Sequence, residues 1–282
     1  SMTIDGAIYV VMGANIGTSV TNTLVSLGHV THGQEFKRAF AASTVHDFFN
    51  IIAVVILFPI QYFTNFLGWL ADGSAMKFAS MGGLKFASPI KIITQPTVDL
   101  VVDLAGKNPW PLIVIALLML FGSLRYIVTV IKLLVMAKVE AFFDTVMFKN
   151  AARAMLLGVV LTTIVQSSSI TTSLVIPLAG AGILTLRQIF PYTLGANVGT
   201  TVTAILAALA VGEVHAVGVA FAHLFFNIMG IGLVWPIRFI REIPIHLAEG
   251  LSVIATRLRW LAVVYILLAF YGLPALVIFF AR

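Results

Sequence analysis

Apolar residues occur in long uninterrupted runs along this chain, rather than in the short amphipathic patterns of a water-soluble domain. A helix needs roughly 20 consecutive apolar residues to cross the hydrocarbon core of a bilayer. Four runs come close to that length. They predict four ordinary membrane-spanning helices at His46–Leu67, Trp110–Met136, Val217–Pro236 and Trp260–Phe280.

Two further apolar regions are interrupted. Tyr9–Leu27 is broken at Gly13–Gly17, where small and polar residues replace the apolar run. Ala154–Leu209 is too long for a single span, and it is broken at Gln166–Ser169, Pro177–Gly182 and Gly195–Gly199. Non-helical backbone is tolerated inside a membrane only where protein or a cavity surrounds it. The pattern therefore predicts a re-entrant hairpin around the Gln-Ser-Ser-Ser stretch, followed by a broken span.

Composition supports a lipid environment. The chain is 60% hydrophobic and 10% charged, with a mean hydropathy of +1.05, whereas soluble domains carry about 25% charged residues. The net charge of +6 comes from basic residues between apolar runs, without aromatic interleaving, and so indicates cytoplasmic loops rather than a nucleic-acid surface. The absence of cysteine excludes disulfides, thiolate metal sites and a Cys nucleophile. The fold class predicted is an all-α, multi-pass integral membrane protein with no cofactor and no transition metal.

Two segments of the chain resemble each other. Residues 13–21 read GANIGTSVT and residues 195–203 read GANVGTTVT, at an offset of 182 positions. His46–Asn50 (HDFFN) is matched by His223–Asn227 (HLFFN) at an offset of 177, and each string is followed by an apolar run that ends in proline. Two ordered matches predict an internal duplication.

Charge placement predicts that the two copies are inverted. The predicted loop Gly28–Ala41 carries Lys37 and Arg38, whereas its counterpart Ala210–Ala216 has no basic residue. The positive-inside rule puts these loops on opposite faces, as in transporters built from inverted repeats with broken helices. We expect a partial first repeat at 1–68, an extracellular loop with a short amphipathic piece at 69–108, a second repeat at 109–245, and a basic loop with a C-terminal span at 246–282.

Seven of the eight residues in Gln166–Ser173 are polar, although the region around them is apolar. Buried polar groups without partners are costly in hydrocarbon. Isolated hydroxyls can bond to their own helix or to a neighbouring helix, which is one explanation. The other is a site for small ions. Hydroxyl and unwound carbonyl oxygens coordinate sodium, and hydroxyl donors at a helix N-terminus bind an oxyanion.

The two GAN segments carry glycines four residues apart, a spacing that also suits close helix packing. Packing does not require the other residues that recur, and spacings of three and four place those residues on one helix face. We expect them to line the same polar cavity. They are Asn15, Thr18 and Ser19 in the first copy and Asn197, Thr200 and Thr201 in the second.

Three ionisable residues have two interpretations each. Asp47 begins a predicted span and is either an interfacial helix cap or a cation ligand; its counterpart is Leu224. His46 and His223 are either hydrogen-bonded helix residues or a proton relay. An intramembrane hydrolase would need Ser168 within reach of His223, but no hydrolase, metalloprotease or nucleotide-binding motif is present, so no enzymatic activity is expected.

These motifs together resemble the type II sodium-dependent phosphate cotransporters. The resemblance extends over nearly the whole chain and rests on the QSSS stretch, the paired GAN[IV]GT segments, the strings FKRAF, VHDFFN and HLFFN, and Ile93-Thr94-Gln95-Pro96. It implies secondary active transport in the plasma membrane, in which inorganic phosphate enters the cell with sodium and two QSSS hairpins hold both ions.

Site residues follow from the motifs and the resemblance. The expected phosphate ligands are Gln166, Ser167, Ser168, Ser169, Asn15, Thr18 and Ser19. The expected sodium ligands are Ser168, Ser169, Thr171, Thr172, Asn197, Thr200, Thr201 and Asp47. Asp47 occupies the position of the acid that binds an additional sodium in family members that move net charge.

One feature departs from the family pattern. Because Thr185 corresponds to Thr3 by the offset of 182, the first repeat's QSSS hairpin is expected upstream of residue 1. A truncated, non-transporting membrane subunit is therefore one alternative. Another is a transporter of a different oxyanion, such as sulfate or arsenate, or one coupled to protons.

Overall fold

The computed structural model describes residues 4–78, 89–105, 109–134, 148–211 and 213–272. All regular secondary structure in these ranges is helical, as predicted. A 3₁₀ turn at Leu27–His29 follows α2, and a π-helical turn at Leu268–Gly272 follows α12. The α-helices are α1 (Ile4–Gly17), α2 (Val20–Ser26), α3 (Gly33–Thr64), α4 (Phe66–Phe78), α5 (Pro89–Leu104), α6 (Pro109–Leu134), α7 (Ala151–Val165), α8 (Ser168–Ala181), α9 (Leu186–Val211), α10 (Val214–Val234), α11 (Arg238–Arg257) and α12 (Trp260–Leu267).

Three of these helices, α3, α9 and α10, are long and apolar enough to cross a membrane. The helix α10 corresponds to the predicted span Val217–Pro236, and α6 corresponds to Trp110–Met136 as far as Leu134. The predicted span Trp260–Phe280 is helical from Trp260 to Gly272, and its remainder lies outside the described residues.

The first span begins much earlier than predicted. The sequence placed its start at His46 and a loop at Gly28–Ala41, but α3 begins at Gly33 and has 32 residues. The charged residues in its first turns suggested a loop. However, Phe36 and Phe40 lie on one face of this extension and pack against Ala255 and Ala262. Tertiary burial of an apolar stripe therefore extends the helix through a locally polar sequence.

The segment 69–108, where an extracellular loop with a short amphipathic piece is predicted, is more helical than expected in the part that the structure describes. It contains most of α4 and all of α5. The helix α4 packs against α10 through Ala71 and Ala75, which are buried against Ala222 and Val217 respectively. Small residues at this spacing let two helices approach closely, so the helical pairing replaces the expected loop.

Two of the three breaks predicted within Ala154–Leu209 are present. The chain leaves the helix at Gln166 and Ser167 and again at Gly182, where φ is +82°. The third break, at Gly195–Gly199, is absent because α9 runs through both glycines without interruption. The sequence indicated a break because glycine is a poor helix former.

Close packing explains why α9 tolerates these glycines. A Cβ atom added at Gly195 would lie 1.9 Å from the carbonyl oxygen of Met155, and one at Gly199 would lie 2.6 Å from Cβ of Thr162. Gly158 on α7 has the reciprocal contact, 2.2 Å from the carbonyl oxygen of Tyr192. In this copy the GAN segment therefore serves as a packing motif, the alternative that its glycine spacing suggested.

The basic region near the C-terminus is a helix rather than the predicted loop. The amphipathic helix α11 buries Ile245, Ala248, Ser252 and Ala255, whereas its charged residues are exposed or half-buried. It packs along α3. A helix of this pattern, basic on one face and apolar on the other, is typical of the membrane interface.

The core that supports the polar residues lies between α3, α8 and α9. Ala42 of α3 belongs to one buried cluster with Ile176 of α8. Phe49 of α3 is buried with Phe190 of α9, and their ring centroids are 6.1 Å apart. Because α3 packs on both partners, it brings His46, Asp47 and Asn50 next to the helices that carry the QSSS stretch and the second GAN segment.

Candidate ion site

The polar N-terminal half of α8 lies against the junction between α1 and α2. The Ser169 hydroxyl donates to the carbonyl oxygen of Thr18 at 3.4 Å. The Thr172 hydroxyl lies 2.8 Å from Oδ1 of Asn22 and 2.7 Å from the carbonyl oxygen of Ser168. Residues about 150 positions apart in the sequence therefore meet at two helix breaks.

The backbone at the QSSS stretch exposes helix N-terminal groups. Gln166 ends α7 in the left-handed conformation, with φ +56°, and Ser167 is extended and caps α8 by accepting from the Ile170 amide. The first amides of a helix have no intrahelical acceptor. Ser168 is 5% exposed, and its hydroxyl makes no hydrogen bond within the described residues. These donors suit an oxyanion.

Most other hydroxyls of the predicted site donate to their own helix. Thr18 and Ser19 bond to the carbonyls of Ala14 and Ile16. The same backbone bonding occurs at Thr171, Thr172, Thr200 and Thr201. A hydroxyl has one hydrogen and two lone pairs, so one that donates to a carbonyl still presents an oxygen to a cation. This arrangement favours sodium over phosphate at these positions.

Asp47 lies in the middle of α3, fully inside the protein, so the interpretation as an interfacial helix cap is wrong. Its Oδ2 atom accepts a hydrogen bond from the Tyr265 hydroxyl at 2.8 Å, while Oδ1 is buried and has no hydrogen-bond partner in the part of the chain that the structure describes. The hydroxyls of Ser19 and Thr23 lie against the carboxylate. A buried carboxylate with one free oxygen, beside two hydroxyl oxygens, is a suitable donor set for a hard cation.

A chain of hydrogen bonds joins the two GAN segments through α3. His46 Nε2 donates to Oδ1 of Asn197 at 2.7 Å, since an amide oxygen only accepts. Asn197 Nδ2 donates to Oδ1 of Asn50 at 2.9 Å, and Asn50 Nδ2 donates to the carbonyl oxygen of Asn15 at 2.7 Å. All four residues are buried. The two asparagines of the motif therefore belong to one network.

Equivalent residues of the two copies make equivalent bonds. Asn50 donates to the carbonyl of Asn15, and Asn227 donates to the carbonyl of Asn197 at 3.3 Å. A second pair of contacts follows the same offsets. Asn65 donates to Asp5 at 2.9 Å, and Arg187 donates to Glu242 at the matching positions. The contact is an amide–carboxylate bond in the first copy and a guanidinium–carboxylate bond in the second, at equivalent positions.

The sequence interpretation missed several residues of this region. Asn50 and Asn227 were visible as the matched ends of the HDFFN and HLFFN strings, and that match was the available signal. Asn22 and Thr23 lie three and four residues after Ser19, the last residue of the first copy's polar face. Nothing in the sequence indicated Tyr265, which reaches Asp47 from 218 positions away.

The structure brings together only part of the predicted set. Asn15, Thr18, Ser19, Asp47, Ser169, Thr172 and Asn197 contact one another or share partners across α1, α2, α3, α8 and α9. The side chains of Thr200 and Thr201 bond only within α9. His223 of α10 bonds to no group within the described residues, so no Ser168–His223 pair is formed.

The sequence of this chain matches a known protein family. Residues 118–248 match the family model described as Na+/Pi-cotransporter. Sodium-dependent phosphate transport protein 2B of Pongo abelii is 32% identical over 367 aligned positions, which cover 97% of this chain. The chain belongs to the Na+/Pi-cotransporter family. It is thus a multi-pass membrane protein of a transporter family and not an enzyme.

Further relatives in this family show the same extent of similarity. The chain is 31% identical to sodium-dependent phosphate transport protein 2B of Homo sapiens over 367 positions, and 33% identical to protein 2A of Ovis aries over 351 positions. It spans about half the length of these relatives, 53% and 55% respectively. No solved structure matches the chain.

Proposed function

We propose that this chain acts in sodium-coupled symport of inorganic phosphate into the cell, by alternating access, in the plasma membrane. One observation carries the proposal. The N-terminus of α8, where Ser168 is 5% exposed and its hydroxyl has no hydrogen bond within the described residues, lies against the α1–α2 junction, and Ser19 of that junction lies against the Asp47 carboxylate. Donors for an anion and oxygen ligands for a cation therefore occur side by side in the interior of one membrane protein.

The phosphate ligands are proposed at the start of α8. Gln166, Ser167, Ser168 and Ser169 supply an amide, hydroxyls and unpaired backbone amides, and the positive end of the helix favours an oxyanion. Asn15, Thr18 and Ser19 complete the proposed set from the first copy. The donors of Thr18 and Ser19 must turn away from their own carbonyls to reach the anion.

The sodium ligands are proposed around Asp47 and along α8 and α9. Oδ1 of Asp47 has no protein partner, and the hydroxyls of Ser19 and Thr23 offer lone pairs beside it. Oxygens with lone pairs left for a cation are also present on α8 and α9, at Ser168, Ser169, Thr171, Thr172, Asn197, Thr200 and Thr201.

Inverted repeats with a re-entrant hairpin are part of this proposal. The paired hydrogen bonds of Asn50 and Asn227, and the paired contacts of Asp5 and Arg187, support a duplicated unit. Transporters of this architecture place substrate and coupling ion where the repeats meet, near half-helix ends. In this chain, the α1–α2 junction and the N-terminus of α8 are such ends.

Uptake of labelled phosphate into proteoliposomes tests the proposal. An inward sodium gradient should drive accumulation, and an equal potassium gradient should not. Unlabelled arsenate and sulfate distinguish phosphate from other oxyanions, and an inward proton gradient without sodium tests proton coupling. Uptake that is equal in sodium and potassium would contradict the proposal. Sodium-dependent phosphate binding without uptake would favour the non-transporting subunit.

A further inference from the structure

The side chain of Asn197 in the second GAN segment makes hydrogen bonds that the equivalent side chain, Asn15 in the first segment, does not make. In the formed set, His46 and Asn50 of α3 both bond to the side chain of Asn197 on α9. By the offsets of 182 and 177, the corresponding set joins His223 and Asn227 of α10 to the side chain of Asn15 on α1. Neither of those two bonds is present.

The groups that would make the absent set are left without good partners. His223 Nε2 and Asn227 Oδ1 are buried and have no hydrogen bond to any described residue. Asn15 Nδ2 instead donates to Val11 of its own helix at 3.2 Å. The free groups are complementary. Asn227 Oδ1 needs a donor, Asn15 Nδ2 is one, and Asn15 Oδ1 accepts from a histidine that carries its hydrogen on Nε2.

The helices that carry these groups are already in contact. Ile8 and Met12 of α1 are buried in one cluster with Ala222 and Phe226 of α10. Each of these α10 residues is the sequence neighbour of His223 or Asn227, and Asn15 lies one turn beyond Met12. A rotation or shift of α1 against α10 is therefore the movement that would form the absent set, and a shift between α3 and α9 would release the formed set.

We propose that the two sets of bonds alternate, so that forming His223–Asn15–Asn227 accompanies the release of His46–Asn197–Asn50. This inference rests on the proposed alternating access, for which it supplies the element with two states. Unpaired buried polar groups destabilise whichever set is open, and the same groups are satisfied in the other set. Because each state leaves the same types of group unpaired, the two states are close in free energy, as a transporter requires.

The exchange predicts coupling between two histidines on different helices. We would label the six histidines with ¹⁵N and record ring-nitrogen spectra of the protein in nanodiscs, without phosphate or sodium. His46→Ala should raise the fraction of His223 with a hydrogen-bonded Nε2 by about five- to tenfold, the effect of one lost hydrogen bond. His223→Ala should raise the bonded fraction of His46. His246→Ala is the matched control, because its side chain is 65% exposed and outside the network.

A second variant guards against misfolding of His46→Ala. The Asn15 side chain bonds only to its own helix, so Asn15→Ala should fold normally, abolish bonding at His223 and leave His46 fully bonded. His46→Gln, which keeps a donor, should reproduce the unsubstituted spectrum of His223. The proposal is overturned if His223 is unchanged in both His46→Ala and Asn15→Ala, or if the two histidines lose their bonds together.

The histidine spectra and the uptake assay test the exchange and the proposed function separately. Coupled histidines in a protein without sodium-driven phosphate uptake would retain the exchange and remove the proposed function. Sodium-driven uptake with uncoupled histidines would retain the function and overturn the exchange.

Discussion

The two GAN segments have nearly the same sequence but different surroundings. In the second copy, Gly195 and Gly199 are pressed against α7, so that no Cβ atom fits. In the first copy, no atom of the described residues outside the same helix lies within 4 Å of the position a Cβ would take at Gly13 or Gly17. The asparagine is buried in both copies, but it joins the network through its side chain in the second copy and through its backbone carbonyl in the first. The glycines are therefore tied to local packing, and the asparagines to the contact between copies.

The largest expected difference concerns stability. Gly195→Ala puts a methyl group 1.9 Å from the backbone of Met155, so α7 and α9 must separate, at a cost of about 3 kcal/mol or more. Gly13→Ala meets open space and favours the helix, so it should be neutral or slightly stabilising. Thermal unfolding in detergent measures both variants. Equal losses would contradict the assignment of packing to the second copy alone.

The two asparagines should contribute unequally to stability, whereas a symmetric duplication would give them equal contributions. Asn197→Ala leaves His46 Nε2 and Asn50 Oδ1 without partners and should cost about 1–2 kcal/mol. Asn15→Ala removes only a bond within its own helix and should stay within about 0.5 kcal/mol. The same unfolding assay compares them. A larger loss for Asn15→Ala would mean that the network is assigned to the wrong copy.

The acid of α3 has no counterpart, and this asymmetry can be removed by one substitution. Asp47→Leu copies Leu224 of the second copy and deletes the unpaired carboxylate oxygen. We expect at least a tenfold higher sodium concentration for half-maximal phosphate uptake, because the loss of one charged ligand costs more than one factor of ten in affinity. Asp72→Leu, which alters an acid of α4 outside the site, is the control. Unchanged sodium dependence would exclude Asp47 as a ligand.

The smallest expected effect concerns the Arg187–Glu242 ion pair, which occupies the place of the Asn65–Asp5 contact in the other copy. The Arg187–Glu242 pair lies at the surface, with side chains 57% and 18% exposed, so Arg187→Ala should cost no more than about 1 kcal/mol, and less in high salt. The hydrogen bond from Arg187 lowers the pKa of Glu242. The stabilisation is therefore present above the carboxyl's unfolded pKa and lost as pH falls through its folded pKa. Asn65→Ala removes the corresponding amide–carboxylate bond to Asp5, and its loss of stability should not depend on salt.

Sequence reasoning identified the residue types of the site better than their bonds. The repeated GAN and HxFFN strings located Asn15, Asn197 and Asp47, because duplicated polar residues in apolar segments stand out without any structure. The continuity of α9 through Gly195 was not predictable, since it depends on the backbone of α7. The extension of α3 to Gly33 depends on burial of Phe36 and Phe40 by distant helices. Tyr265 joins the site through tertiary contact alone.

The hydroxyl groups of the QSSS region also show that sequence predicts residue types better than the bonds those residues make. Their number in Gln166–Ser173 predicts an ion site, which stays a prediction, whereas their alternative role of bonding to their own helix carbonyls is observed at Thr171, Thr172 and Ser173. Sequence could not separate the two roles, since one hydroxyl can donate to a carbonyl and still ligate a cation. Ser168 differs from its neighbours because the helix break removes its carbonyl partner.

Ser168 and Ser173 allow the most direct test of the site. Both are serines of α8, but Ser168 is buried at the N-terminus and its hydroxyl has no hydrogen bond within the described residues, whereas Ser173 is half-buried and donates to the Ile170 carbonyl. Sodium-driven uptake of labelled phosphate should fall at least tenfold in Ser168→Ala and stay unchanged in Ser173→Ala, with both variants equally folded. Equal uptake by the two variants would contradict a phosphate site at the start of α8.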